Sequence, residues 1–444
     1  MKIHCVGIGG IGVSALARYY MAKGNKIIGS DLNDSEIIAA LKKIGAEITI
    51  GEHQADNLLD DVDLVIYSAA VPEDNPELEK ARIIRSRRPS LELLSYAEAL
   101  GRLSRQYSTI AVSGTHGKST TVSMLSLVLI DAGLDPTVIV GTKLKEFNDS
   151  NFRMGHGHYL IIEADEWQGS FLNYHPEIIV LTNIEEDHLD YYRDLDHIKK
   201  TYQKYLERLS PSGSLVFNED DPNIIHLLVN QIIKKRVSFS VKQNEAERLS
   251  KIIKVPGKHN VSNALAALSA ARVLGIPDDV FYRAIGQYRC CWRRFDKRKG
   301  KIGQHSFELI HDYAHHPTEL KSLFQAIEEK YQNKKIWLFF QPHQYQRTFY
   351  FFDRFVDVLR GQREMKNDYQ IIITDIYGVP GREEKSLSKK VNTQKIVAAV
   401  DRPNVNYWPF DQLTEKLTEN IAKGDIVVAV GAGNIYQWAQ KFEE

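Results

Sequence analysis

The segment TIAVSGTHGKSTTVSML, Thr109 to Leu125, restricts what this chain can fold into more than any other. A β-branched run (Thr109, Ile110, Val112) stops at Gly114 and Gly117 and gives way to a helical pattern that Gly133 closes. Strand, glycine turn and helix in that order make a phosphate-binding loop, because the unpaired amides and the dipole at a helix N-terminus both favour an anion. Gly114, Thr115, His116 and Gly117 form the turn. Lys118 has the reach for the β- and γ-phosphates, and Ser119, with Thr120 beside it, offers hydroxyl oxygen to Mg2+. Val112 stands where the general pattern has its first glycine, so flanking strand and helix carry the reading.

The first 31 residues repeat the theme. An apolar strand runs into Gly7, Gly9, Gly10 and Gly12, a helix follows to Gly24, and a second strand ends at Asp31. Taken alone this is a dinucleotide fingerprint, with Asp31 spaced to meet a ribose hydroxyl, and it suggests an NAD enzyme. The next strand, LVIYS, and the loop SAAVPEDNPE that contains Ser68 and Ala69 require only a nucleotide-like ligand, and no residue there announces hydride chemistry. Arg82 to Arg88 read as a solvated connector, LELLSYAEALGRL as a helix, and a domain boundary falls near Arg105.

A second segment delivers chemistry at strand ends. YLIIE stops in Glu163, Asp165 and Glu166, and the strand Ile178 to Thr182 leads to Asn183, Glu186, Asp187 and His188. Acids and an imidazole beside a phosphate loop lie where an α/β sheet places its ligands, which points to Mg2+ and phosphate for Glu163 and His188. Imidazole is an unusual Mg2+ ligand, so metal contact and hydrogen bonding both stay open for His188. Glu185 and Asp190 read as ordinary capping acids. Asn260, before an alanine-rich helix, is a base or phosphate contact or an N-cap. CCWRRFDKRKGK reads as a basic turn that ends this unit near Arg294.

The last segment alternates strands with helical patterns, and its strand ends carry Asp312, His315, His316, His343, Gln344 and Arg347. The adjacent His315 and His316 point apart, which argues against a zinc site. The expectation is an α/β chain of three domains: a Rossmann-like domain over 1–105, a central P-loop ATPase domain with a mainly parallel sheet over 106–294, and a C-terminal Rossmann-like domain over 295–444. The length of 444 residues suits two to four domains. Lysine plus arginine equals aspartate plus glutamate at 57 each, so bulk charge points to neither a nucleic acid nor an anionic membrane. No apolar run approaches the roughly 20 residues of a membrane span, and the amino terminus enters a strand at once, so a cytoplasmic protein is expected. Cys5, Cys290 and Cys291 form neither a disulfide framework nor a zinc pattern.

Together the motifs resemble the Mur ligase family: GIGGIGVSALA, SAAVPEDNPEL, SGTHGKSTT, EADE with SF soon after, TNIEEDHLDYY, GKHNVSNALAAL, RRF, DYAHHPTE, FQPHQYQRT and GAGN, in order along nearly the whole chain. The resemblance implies a UDP-sugar domain, a central ATPase and a C-terminal domain that helps receive an amino acid. The Gly7 to Gly12 loop then holds the UDP diphosphate of UDP-N-acetylmuramate. ATP phosphorylates the lactyl carboxylate of that sugar, and the amine of L-alanine or another small amino acid displaces phosphate. No protein nucleophile is required, because the substrate carboxylate attacks ATP.

By motif match, Lys118 stabilises the transferred phosphoryl group, Ser119 and Glu163 hold one Mg2+ and His188 another. Asn260, Arg294 and Asp312 contact the nucleotide, with Asp312 on the ribose, and His343 and Arg347 act as donors near the amino acid or the acyl phosphate. The chain departs from the family at Trp167, Gln168 and Gly169, where Ser-Asp-Ala is usual, and Tyr202 falls near the place of a lysine that many members carbamylate; Lys199, Lys200 and Lys204 are close by. Rival expectations are a family member that recycles whole peptides onto UDP-MurNAc and an inactive nucleotide-binding regulator. The NAD enzyme leaves the phosphate loop unexplained.

Overall fold

Three sets of apolar strands, each followed by helices with one buried face, build three largely parallel sheets. They are seen in a computed structural model that describes residues 1–229, 231–361, 365–379 and 383–444. The first sheet holds β1 (Lys2–Val6), β2 (Lys26–Asp31), β3 (Glu47–Ile50), β4 (Leu64–Tyr67) and β5 (Glu92–Ser95), all parallel in the order β3-β2-β1-β4-β5. Ile3, Cys5 and Val6 of the central strand are fully buried, as expected where both faces of a parallel sheet are covered. Strand order reverses across β1, so its carboxyl end, where Gly7 begins, opens the crevice in which such sheets bind ligands.

Two readings of this region need correction. Residues 91–103 are not one helix: Glu92–Ser95 pairs with β4, and the helix Tyr96–Ser104 starts only at a capping box. There Ser95 Oγ accepts from the Glu98 amide and the Glu98 carboxylate accepts from the Ser95 amide at 2.7 Å. Arg82 to Arg87 form no connector but the last turns of the helix Pro76–Arg87, which Asn75 caps.

The second sheet comprises β6 (Ser108–Ser113), β7 (Thr137–Leu144), β8 (Ser150–Arg153), β9 (Tyr159–Ala164), β10 (Ile178–Leu181), β11 (Ser214–Asn218) and β12 (Lys235–Phe239). Its order is β12-β11-β10-β6-β9-β7-β8, parallel except for the β7–β8 pair. β6 lies between β9 and β10 with Val112 opposite Glu163 and Val180. The phosphate loop therefore leaves the sheet between the two strand ends that carry the acids.

The third sheet contains β13 (Asp296–Ile302), β14 (His305–Asp312), β15 (Lys335–Phe340), β16 (Asp368–Ile373), β17 (Val405–Tyr407) and β18 (Ile426–Val430), ordered β13-β14-β18-β15-β16-β17. Only β13 runs antiparallel. The DKRKGK run expected as a basic turn is this edge strand. Asp296, Gly300 and Ile302 face inward while Lys297, Lys299 and Lys301 alternate outward, the period-two pattern of a half-buried strand.

Packing divides the chain into two compact units: Met1–Glu185, Asp196–Ala246 and Ser262–Gln287 in the first, and Glu186–Leu195, Glu247–Val261 and Tyr288–Glu444 in the second. The first two sheets share the first unit, joined by Asn151 Nδ2 donating to Ser14 Oγ at 2.9 Å and by the 2.8 Å Lys143–Glu36 ion pair. No helix among the described residues is long and apolar enough to cross a membrane.

Candidate active site

The loop after β6 owes its shape to the end of β10. Thr115 N donates to Asn183 O at 3.0 Å, His116 N to Asn183 Oδ1 at 2.8 Å, and Asn183 Nδ2 returns a bond to His116 O at 2.9 Å. Gly117 takes a left-handed φ of 87°, and a Cβ there would stand 2.3 Å from Asn263 Oδ1, so only glycine lets that carboxamide lie against the loop. The helix Lys118–Asp131 then begins, with Ser119 and Thr120 in its first turn, each less than a tenth exposed.

Lys118 Nζ folds back over this loop. It donates to Gly114 O at 2.7 Å, to Thr115 O at 3.4 Å and to Glu166 Oε2 at 2.9 Å, with Asp165 Oδ1 at 3.7 Å. Burial alone would lower the pKa of this ammonium, but Glu166, Asp165 and Glu163 outweigh it and raise the pKa well above the usual lysine value. Glu163 Oε1 accepts from the Gly141 amide at 2.6 Å, which fixes the carboxylate at the end of β9. Its oxygens and the Ser119 hydroxyl are the hard donors Mg2+ requires.

At the first sheet, Gly7 N and Ile8 N donate to Ser30 O at 2.9 and 3.1 Å, and Gly9 N donates to Asp31 Oδ2 at 2.8 Å. Asp31 thus orders the glycine loop. Ser68 packs against Gly7, 3.0 Å from where a Cβ would stand, and its Oγ accepts from Ala70 N at 3.3 Å, with Ala69 between them.

The second unit gathers the remaining expected residues. Asp312 accepts from the Phe295 and Ala314 amides, both at 2.8 Å, yet burial pushes its carboxyl up to about 6 despite the nearby Arg294. Arg294 pairs with Glu319 Oε1 at 3.3 Å and lies over the Tyr313 ring. His316 Nδ1 accepts from Thr318 N, which leaves its proton on Nε2 to donate to Glu186 O at 3.0 Å.

Arg347 is buried. Its Nε and Nη2 donate to Asp187 Oδ1 at 3.2 and 2.9 Å, and Nη1 faces Gln344 Oε1 at 3.2 Å and His343 Nδ1 at 3.4 Å. Burial would raise the pKa of Asp187, but Arg347 and the neighbouring imidazoles hold it well below the carboxylate range. Asp187 Oδ1 also accepts from the amide of His188, whose φ of 52° turns the chain so that His188 O takes bonds from Tyr191 N and Tyr192 N. The His343 ring stacks on Tyr377 at 5.6 Å. Asn260 does not cap its helix and instead donates Nδ2 to Pro256 O at 2.6 Å.

Lys118, Ser119 and Glu163 thus lie together in the first unit, and His188, Arg294, Asp312, His343 and Arg347 belong to the second. Sequence reasoning placed Glu166 in the acidic cluster at the end of β9 but not its pairing with Lys118, and it missed Asn263. Asn263 sits three residues beyond Asn260, one helical turn on the same side, a spacing that could have flagged it.

The family description "Mur ligase family, catalytic domain" matches residues 2–108, "Mur ligase middle domain" matches 112–271 and "Mur ligase, glutamate ligase domain" matches 293–433. The chain is 35% identical to a UDP-N-acetylmuramate–L-alanine ligase of Clostridium novyi, covering 100% of this chain and 97% of that one, and 37% identical to one of Syntrophotalea carbinolica with the same coverage. Among solved structures it is similar to a UDP-N-acetylmuramate–alanine ligase of Thermotoga maritima, with a TM-score of 0.78, 28% identity and coverage of 100% and 98%. A murein peptide ligase of Psychrobacter arcticus shares the fold, with a TM-score of 0.71 at 20% identity over 99% and 98% of the two chains.

Proposed function

Because the chain belongs to the Mur ligase family of ATP-dependent, amide-forming enzymes, we propose that it joins L-alanine, or another small L-amino acid, to the lactyl carboxylate of UDP-N-acetylmuramate in peptidoglycan precursor synthesis in the cytoplasm. The observation that carries this reading is the full-length likeness, at 35% and 37% identity, to ligases named for that substrate pair.

A carboxylate is a poor electrophile until it bears a leaving group. Its oxygen attacks the γ-phosphorus of ATP, ADP departs, and the resulting acyl phosphate is open to the amine, whose addition and collapse expel phosphate. The Lys118 ammonium, already charged on the loop, exchanges its contact with Glu166 for phosphate oxygens and stabilises the transferring group. Ser119 and Glu163 would hold one Mg2+ and His188 a second. When bound, the metal supplies the charge neutralisation that lets two anions approach. Asn260, Arg294 and Asp312 serve the nucleotide, and His343 the amino acid. The guanidinium of Arg347 is committed to Asp187, so we assign it to holding the turn that carries His188.

Phosphate release from ATP with Mg2+ and UDP-N-acetylmuramate tests this, comparing L-alanine, L-serine, glycine and the tripeptide L-Ala-γ-D-Glu-diaminopimelate. Release with one small amino acid and a product of matching mass is expected. Release with the tripeptide alone would make the chain a recycling ligase, and no release with any would leave a binding protein.

A further inference from the structure

One residue lies between the two halves of the first unit and is used by none of the steps above. Tyr96 opens the helix Tyr96–Ser104, held in place by the Ser95–Glu98 capping box. Farther along that helix Gly101 packs on the segment after the EADE acids: a Cβ there would stand 2.4 Å from Asn173 O. The helix is thereby fixed against residues 167–173, and its first residue lies against the glycine loop.

The ring of Tyr96 covers the glycine loop with its hydroxyl end. A Cβ on Gly12 would lie 2.7 Å from Tyr96 Cζ, 2.8 Å from Cε2 and 3.0 Å from Cε1. Gly12 is therefore glycine because a phenol occupies the space a side chain would need. The same phenol has its pKa raised above the usual tyrosine value, first by burial and then by the carboxylates of Glu163 and Asp165. It stays protonated within the field of the acids at the end of β9. Its hydroxyl makes no hydrogen bond to any described residue.

We propose that the Tyr96 hydroxyl donates a hydrogen bond to the reacting carboxylate of the UDP-sugar substrate, at the place where the glycine loop meets the acidic end of β9. The inference rests on the ligase reading. A sugar acid whose diphosphate lies on Gly7 to Gly12 must pass this phenol to bring its carboxylate to the phosphate loop. One carboxylate oxygen takes the Tyr96 bond and the other attacks the γ-phosphorus. The bound oxygen becomes the carbonyl oxygen of the acyl phosphate. When the amine adds, the C=O π pair moves onto that oxygen, the hydrogen bond strengthens on the developing charge, and collapse returns the pair as phosphate leaves and takes up the proton that the attacking nitrogen sheds. Tyr96 keeps its proton throughout.

Tyr96→Phe tests this, because it keeps the ring over Gly12 and removes only the hydroxyl. With wild-type turnover established first, kcat should fall about 100-fold, the scale for loss of one oxyanion donor. The KM for ATP should stay within about twofold, because the nucleotide does not use this donor. The melting temperature should not change. Acyl phosphate trapped by hydroxylamine without amino acid should still form, but more slowly. A variant as fast as wild type would overturn the assignment while leaving the ligase reading intact. Equal losses in kcat, in ATP affinity and in melting temperature would also overturn it, by making Tyr96 structural. A wild-type enzyme that releases no phosphate would overturn the ligase reading and Tyr96's role with it.

Discussion

Two ion pairs, one in each unit, look alike in a sequence and differ in kind. In the first unit Lys118 meets Glu166 at 2.9 Å, and in the second Arg347 meets Asp187 at 2.9 Å. The lysine is a point charge on a flexible stem whose other contacts are two carbonyls of its own loop and the Asp165 carboxylate at 3.7 Å. On the proposed mechanism each of those is traded for a phosphate oxygen. The arginine is a planar fork with its donors spread over Asp187, Gln344 and His343, and Asp187 in turn holds the amide of His188. It cannot let go of one partner without disturbing the turn Glu186–Leu195. On the proposed reading, the charge that meets substrate is carried by lysine and the charge that shapes a loop by arginine.

The largest effect that would break this contrast is on Lys118. Lys118→Ala should lower phosphate release by more than about a thousandfold, roughly 4 kcal/mol of barrier, while calorimetry still detects UDP-N-acetylmuramate at near wild-type affinity. Parallel loss of both would mean that the pair is architectural after all. Arg347→Ala should act the other way round. Removing one partner of a buried pair costs about 3–5 kcal/mol of stability, read as a lowered urea midpoint, and Arg347→Lys should recover little because an ammonium cannot reproduce the fork. Full stability with lost turnover in Arg347→Ala would instead return Arg347 to the substrate.

Sequence and structure part company where tertiary context overrides local pattern. The phosphate loop was legible because Gly114 and Gly117 supply left-handed backbone between a β-branched run and a helix, and the structure gives both a positive φ. The run LELLSYAEALGRL was misread because its leucines suit either period. β5 exists only because β4 offers it a parallel partner, and the decisive local signal, Ser95 with Glu98 three residues on, is a cap inside the supposed helix. DKRKGK hid its strand because lysines can occupy the outer face of an edge strand. The pairing of Glu166, itself visible as a strand-end acid, and the place of Tyr96 were unreadable for another reason: each depends on a neighbour far along the chain, Lys118 for one and Gly12 for the other. Arg347 was legible as a strand-end cation, but not its commitment to Asp187, 160 residues away.

The smallest effect separates the two acids of the second unit by the sign of their pH dependence. Asp187 has its folded pKa depressed below the unfolded value near 3.9. Its contribution is present above that value and fades as pH falls through the lower folded one. Asp312 has a folded pKa raised to about 6, so it favours the folded state most at low pH and loses that advantage as pH rises from about 4 through 6. Urea midpoints between pH 3 and 7 should therefore show opposite differences from wild type. Asp187→Asn should be less stable across the range, with a constant deficit above about pH 4 that only begins to narrow toward pH 3. Asp312→Asn should gain on wild type as pH rises from about 4 to 6 and hold that gain above it, because a buried amide carries no charge to desolvate. Equal slopes for the two variants would mean that Arg294 already neutralises Asp312 as fully as Arg347 does Asp187. The distinction between Asp187, paired to shape the fold, and Asp312, proposed to serve the nucleotide, would then disappear in this unit.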